Sequence, residues 1–189
     1  MECDPPRQER EGGEFYTIEE IARNCDIITL HTPLDATTKH LINNNLICSM
    51  RPDATIINAS RGGVVDNRAV LNSGHRYIFD VWEDEPNIPL DILNNAMLAT
   101  PHIAGYSAQG KANATAMCVK ALANHFSLPL GDWYPTEVKP TSPRLISWDE
   151  MCMTLPRYFD IEQESNTLKC APSDFEHLRN HYSYREEWY

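Results

Sequence analysis

Four short apolar runs, at 27–30, 55–58, 77–81 and 97–99, recur through the first half of the chain, with helix signals between them. Runs of this length read as buried strands. Parallel neighbours need a crossover between them, and that crossover is usually a helix. The spacing therefore predicts an α/β fold, a parallel sheet covered by helices on both faces.

The helix signals are local. Thr17 and Glu20 form a capping box, with Tyr16 placed to pack on Ile21 as a staple, so a helix should run to about residue 24. Further helices are expected at 43–50, from the cap Asp66 to about residue 71, and at 90–93. From 107 to 126 the pattern lengthens into one helix, with Ala112, Ala116, Val119, Ala123 and Phe126 at helical spacing and Pro129 ending it. Residues 129–147 hold four of the 13 prolines and read as an irregular crossing. Helices at 149–159 and 173–182, the second capped by Ser173 with Glu176, are too small a core to stand alone.

In open parallel sheets, functional groups collect beyond the carboxyl ends of the strands. Thr32, Arg61, Asp80 and His102 all fall at or just past such an end. Arg61 lies in Asn58-Ala59-Ser60-Arg61-Gly62-Gly63-Val64-Val65-Asp66. Its permanently charged guanidinium can grip a carboxylate with two parallel hydrogen bonds. His102 lies in Pro101-His102-Ile103-Ala104-Gly105 and can take or give a hydroxyl proton near neutral pH. Glu85, in Asp80-Val81-Trp82-Glu83-Asp84-Glu85-Pro86, offers the carboxylate that would orient that imidazole and favour its charged form. Each residue also has a plain alternative: a turn arginine, a structural histidine, a solvated acidic loop, and for Asp80 a cap. Their order along the chain, each after a strand, favours one site.

Composition excludes some classes. A net charge of −11 offers no basic stripe for nucleic acid or an anionic membrane. Six scattered cysteines without a C-x-x-C pair fit reduced thiols in the cytoplasm. No apolar stretch reaches membrane-spanning length, and no signal-peptide pattern opens the chain. His177 and His181, four apart on an expected helix, lack companion ligands at metal spacing and read as a solvated face, so no metal is expected.

The strings spanning 27–105 resemble the D-isomer-specific 2-hydroxyacid dehydrogenases. Within them, the branch acting on 4-phospho-D-erythronate in vitamin B6 synthesis is the nearest match. Cys3-Asp4-Pro5-Pro6-Arg7, His31-Thr32-Pro33-Leu34, Pro101 through Ser107, Gly110-Lys111-Ala112, the tail from Phe175, and Arg185-Glu186-Glu187-Trp188 carry that match. The resemblance implies an incomplete Rossmann-like, doubly wound NAD-binding domain over 1–128, with a crossing helix at 107–126. A small α+β dimerisation domain, making a homodimer, would follow over 129–189. It implies that Arg61 binds the substrate carboxylate, Glu85 orients and His102 exchanges the proton. Asp4 would hold the adenosine ribose, Thr32, Asp80 and Gly105 would line the NAD site, and Tyr106 would touch a phosphorylated hydroxy acid. The implied reaction is NAD-dependent oxidation of 4-phospho-D-erythronate to 2-oxo-3-hydroxy-4-phosphobutanoate.

If Asp4 is the ribose acid, the glycine-rich phosphate turn belongs about 20 residues earlier. That turn, the first βαβ unit and the substrate domain are then expected to lie outside this chain, which alone should be inactive. Two other readings are a dehydrogenase of another 2-hydroxy acid such as phosphoglycerate, and a non-catalytic dimerisation or NAD-binding module. Tyr106 and the tail weigh against the first, and retention of all three catalytic residue types weighs against the second.

Overall fold

The computed structural model describes residues 1–141 and 144–187; Trp188 of the tail string lies outside the described residues. Four strands, β1 (Ile27–Leu30), β2 (Thr55–Asn58), β3 (Arg76–Phe79) and β4 (Leu98–Ala99), form one sheet in the order β1-β2-β3-β4. All three pairings are parallel, and the register aligns Leu30, Asn58, Phe79 and Ala99 across the sheet. The α/β architecture expected from the sequence is present.

Helix α2 (Ile18–Asn24) precedes β1, and α3 (Asn44–Ile47), α4 (Asn67–Ser73) and α5 (Leu90–Asn95) separate the strands. Side chains alternate across a strand, so one sheet face carries Ile28, Leu30, Ile56, Tyr77, Phe79 and Ala99, all buried. Ile21, Ala22, Leu46, Ile47, Val70, Ile92 and Leu93 of the helices complete that core. The two faces are not covered equally. The opposite parity is only partly buried, and Ile27 stays 61% exposed.

The caps explain the helix starts. Thr17 and Glu20 make both halves of the capping box, and Asp66 accepts from the amides of Arg68 and Ala69. Helix α3 is shorter than expected: Ser49 Oγ takes the Leu46 carbonyl, the Met50 amide donates back three residues to Ile47, and Pro52 follows. Strand β3 stops at Phe79 rather than at Val81.

Two helices lie outside the sequence expectations. Helix α1 (Pro5–Glu11) follows directly on Asp4, which caps it. Helix α8 (Ile161–Cys170) buries Ser165 and Leu168. Ser165 Oγ accepts the Ala99 amide at 3.0 Å, so the outer edge of β4 is not left unpaired. Helix α9 (Phe175–Asn180) buries Phe175, but Ser173 sits inside a preceding 3-10 turn (Pro172–Asp174) rather than at the cap. Burying Leu168 and Phe175 contributes about 1.5–3 kcal/mol each.

The chain divides into two compact units, Met1–His102 with Glu162–Arg179, and Ile103–Ile161 with Asn180–Tyr189. In the second, α6 (Ala108–Phe126) is capped by Ser107 and α7 (Trp148–Tyr158) by Ser147. Of the apolar stripe on α6, Ala112 and Ala123 are buried while Phe126 is 62% exposed. The tail folds back on the start of α6: Arg185 pairs with Ser107, and the Glu187 amide donates to Gln109 Oε1. Among the described residues no helix is long and apolar enough to cross a membrane.

Candidate active site

Every strand end hands its chain to a loop that carries chemistry. Beyond β2, Asn58 is buried and organises the turn that follows. Its Oδ1 accepts from the Ser60 amide at 3.1 Å and from Ser60 Oγ at 2.8 Å, while its Nδ2 donates to the Arg61 carbonyl at 3.0 Å. Arg61 then starts a 3-10 turn (Gly62–Val64), and its guanidinium is exposed, with Nη1 donating to the Ser60 carbonyl at 2.7 Å. The two glycines that follow are not equivalent. Gly62 presses on the backbone of Trp82 and Glu83, whereas Gly63 faces the flexible end of Leu34.

Beyond β3, Asp80 is buried. Its amide donates to the Asn58 carbonyl, its carbonyl accepts the His102 amide at 2.8 Å, and its Oδ1 accepts from Thr100 Oγ1 at 2.7 Å. One residue thus joins the ends of β2, β3 and β4. The next loop is anchored by Trp82, which is buried, packs edge-on against Phe79 and donates its indole N–H to the Thr100 carbonyl.

Glu85 closes that loop. Its Oε1 accepts the Trp82 amide at 2.7 Å, and its Oε2 lies 2.8 Å from His102 Nδ1. A carboxylate only accepts, so Nδ1 carries the proton and the neutral ring presents its Nε2 lone pair. Both partners are mostly shielded, with side-chain exposures of 24% for His102 and 20% for Glu85. His102 has φ 59°, a left-handed backbone that costs a residue with a Cβ on the order of 1 kcal/mol. The turn spends stability to aim this ring.

The remaining residues singled out from the sequence are placed separately. Asp4 Oδ1 accepts the Arg7 amide at 2.9 Å as the cap of α1. A carboxylate has about four acceptor sites, so capping leaves capacity for a sugar hydroxyl. Thr32 follows β1, and its Oγ1 is buried without a hydrogen-bond partner among the described residues. A buried hydroxyl seldom goes unsatisfied, so Thr32 is the kind of group a bound polar ligand completes. That orphaned hydroxyl fits the polar part of a cofactor. In the second unit, Gly105 has open space where a Cβ would be, and Tyr106 packs edge-on against Tyr184, with the Lys111 ammonium 4.1 Å from its ring centroid.

Sequence reasoning missed two residues of this arrangement. Asn58 and His40 both belong to it: Asn58 organises its own turn locally, while His40 bridges to a residue 43 positions away. His40 Nε2 lies 2.6 Å from Glu83 Oε1, and its backbone also is left-handed, with φ 51°. A polar residue closing an apolar strand on its buried parity is a readable signal for Asn58. Nothing local marks His40.

Comparison with known proteins shows the family to which the chain belongs. Erythronate-4-phosphate dehydrogenase of Ectopseudomonas mendocina is 38% identical over 98% of this chain and 54% of its own length. The protein of that name from Bacteroides thetaiotaomicron is 41% identical over 97% of this chain and 55% of its own length. The chain thus spans about half the length of the curated relatives it matches. Among solved structures, Aquifex aeolicus D-lactate dehydrogenase complexed with NAD and lactic acid aligns at TM-score 0.50 and 27% identity, over 70% of this chain and 47% of that one. Residues 2–104 match the model of the D-isomer specific 2-hydroxyacid dehydrogenase, NAD binding domain, and the chain belongs to that family.

Proposed function

We propose that this chain forms part of an NAD-dependent dehydrogenase that oxidises 4-phospho-D-erythronate to 2-oxo-3-hydroxy-4-phosphobutanoate, a step toward pyridoxal phosphate. The observation that carries the reaction class is the bond between His102 Nδ1 and Glu85 Oε2, which leaves Nε2 as a base at the carboxyl edge of the sheet. The choice of substrate rests on the relatives named above, whose identity extends through the tail.

Arg61 grips the substrate carboxylate through its paired N–H groups. His102 Nε2 takes the proton of the 2-hydroxyl as the hydrogen on C2 departs as hydride, leaving a C2 carbonyl. Glu85 holds the ring in the competent tautomer and balances the imidazolium that forms. NAD, when bound, supplies the hydride acceptor, and Asp4, Thr32 and Asp80 would hold it. Gly105 is assigned to the same cofactor and Tyr106 to the substrate by family resemblance. Residues 129–189 are assigned to a homodimer contact, and the protein to the cytoplasm.

The test is NADH formation by this chain, alone and joined to the remaining sequence of its Bacteroides thetaiotaomicron relative. 4-Phospho-D-erythronate, phosphoglycerate and lactate are compared as substrates. Turnover of the joined protein should be fastest on 4-phospho-D-erythronate. Faster turnover of another acid would replace the substrate, and none on any would remove the function.

A further inference from the structure

The loop that carries Glu85 makes a second histidine–glutamate pair, one that the proton-transfer reading does not use. Glu83 Oε1 lies 2.6 Å from His40 Nε2, and both side chains are largely shielded, at 27% and 35% exposure. Among the described residues, only His40, His102 and Ser127 combine a side chain with positive φ. The first two are the histidines of these two pairs. A backbone in that region persists where the surroundings hold it.

The backbone of His40 shows what it holds. Its amide donates to the Gly63 carbonyl at 2.8 Å, inside the turn that Arg61 begins. Two residues on, the Ile42 amide donates to the Val64 carbonyl, and the Asp66 amide donates back to Ile42. Segment 40–42 therefore lies along the far side of the Arg61 turn. The near side presses on the 82–83 backbone through Gly62. The His40 side chain carries a hydrogen bond from that far segment to the acidic loop itself.

We infer that His40 and Glu83 are positioning residues, a clamp that fixes the Arg61 turn and the Glu85 loop as one body. The inference rests on the proposed roles of Arg61, Glu85 and His102. Neither member of the clamp touches a reacting atom. Each acts by closing a ring of contacts: His40 to Glu83 by side chain, Glu83 to Gly62 by backbone packing, and Gly63 back to His40 by hydrogen bond. Opening the ring at one point frees the 82–86 loop to drift, and Glu85 drifts with it.

The test is proton NMR of the His102 ring in this chain. A Nδ1–H held by Glu85 exchanges slowly with water and resonates downfield, and Glu85→Ala should abolish that signal. If the signal is absent in the unmodified chain, the reading of the Glu85 and His102 pair fails before the clamp is tested. With the signal established, His40→Ala should speed its exchange with water by about tenfold, because local opening controls exchange. His40→Gln, whose amide can still donate to Glu83, should restore slow exchange. Glu83→Ala breaks the same bond from the other loop and should reproduce the His40→Ala result, which serves if that variant does not fold. Unchanged exchange at His102 in whichever alanine variant folds, with amide spectra otherwise retained, would overturn the clamp. So would a failure of His40→Gln to rescue.

Discussion

Gly62 and Trp82 meet backbone to backbone. A Cβ built on Gly62 would lie 1.9 Å from both the carbonyl carbon and the carbonyl oxygen of Trp82, with the Glu83 amide nitrogen at 2.4 Å. The arginine turn and the loop that aims the histidine are therefore set against each other at a distance that only glycine permits. Gly62→Ala should cost about 3 kcal/mol or more, since the obstacle is main chain and neither loop can yield cheaply. Gly63→Ala is its control. There the new atom meets Leu34 Cδ2 at 3.2 Å, the end of a half-exposed side chain that can turn aside, and the cost should stay under about 1 kcal/mol. Urea denaturation of both variants checks the contrast, and equal losses would contradict it.

Asn58 sustains three hydrogen bonds from a nearly inaccessible position, two as acceptor and one as donor. Asn58→Ala strands the buried Ser60 amide, at a cost of about 1–3 kcal/mol, while the Arg61 carbonyl loses one donor and keeps the Val64 amide. Asn58→Asp keeps the acceptor but turns the donor toward Arg61 into an oxygen, so it should not recover the loss. Thermal unfolding of the two variants decides the point. Stability within experimental error of the parent would show that the turn forms without Asn58.

Tyr77 is buried against the sheet and donates its hydroxyl to the Ile92 carbonyl at 2.7 Å. Burial, with a smaller contribution from the charge of Asp91, pushes its phenol well above the ordinary tyrosine value. A raised pKa in the fold means that the folded chain holds this proton more tightly than the unfolded chain. The stabilisation is fully present below the unfolded phenol value of about 10 and is lost as pH rises beyond it. Tyr77→Phe should cost about 1 kcal/mol at neutral pH through the lost hydrogen bond. It should also flatten the alkaline decline in denaturation midpoints. An equally steep decline in the variant would assign alkaline unfolding to other groups.

The elements that were legible in the sequence are those whose cause is local. Strands β1 and β2 begin and end where their apolar runs do, and the Thr17 box and Asp66 cap start their helices as written. Glu85 and His102 were legible as a pair because both follow strands of one parallel sheet, and the fold brings such ends together. Helix α1 was readable too, since Asp4 followed by Pro5 is a cap and a first-turn proline. Reading Asp4 only as a ligand hid the helix. Helix α8 had weaker grounds: Leu168 and a buried serine give its polar sequence almost no stripe, and its place follows from bonding the β4 edge. His40 was out of reach, because its partner Glu83 lies 43 residues away and no periodicity links them.

Arg61 presents an exposed guanidinium anchored through one nitrogen to the Ser60 carbonyl. In the proposed reaction the remaining N–H groups form a fork for the substrate carboxylate. Arg61→Lys keeps the charge but replaces a planar fork with a single ammonium on a flexible stem. kcat/KM of the joined protein should fall by roughly a hundredfold, the worth of two charge-assisted hydrogen bonds. Near-parental kinetics would mean that charge alone suffices and that the bidentate grip is wrong.

Glu85 divides its two oxygens between different donors, the Trp82 amide on Oε1 and His102 Nδ1 on Oε2. That division fixes what Glu85→Gln must do. The amide oxygen is needed by the Trp82 N–H, which can only donate, so the amide nitrogen takes the place facing His102. It then donates to Nδ1, which must carry no proton, and the ring's hydrogen moves to Nε2. A ring in that tautomer has no lone pair for the substrate hydroxyl. Turnover should therefore fall by about 10²–10⁴-fold although size, shape and loop anchoring are kept. Nitrogen NMR of the imidazole should show the protonated nitrogen change from Nδ1 to Nε2, while denaturation midpoints move little. Loss of activity with the tautomer unchanged would assign Glu85 an electrostatic role in place of an orienting one. A changed tautomer with full activity would take His102 out of proton transfer.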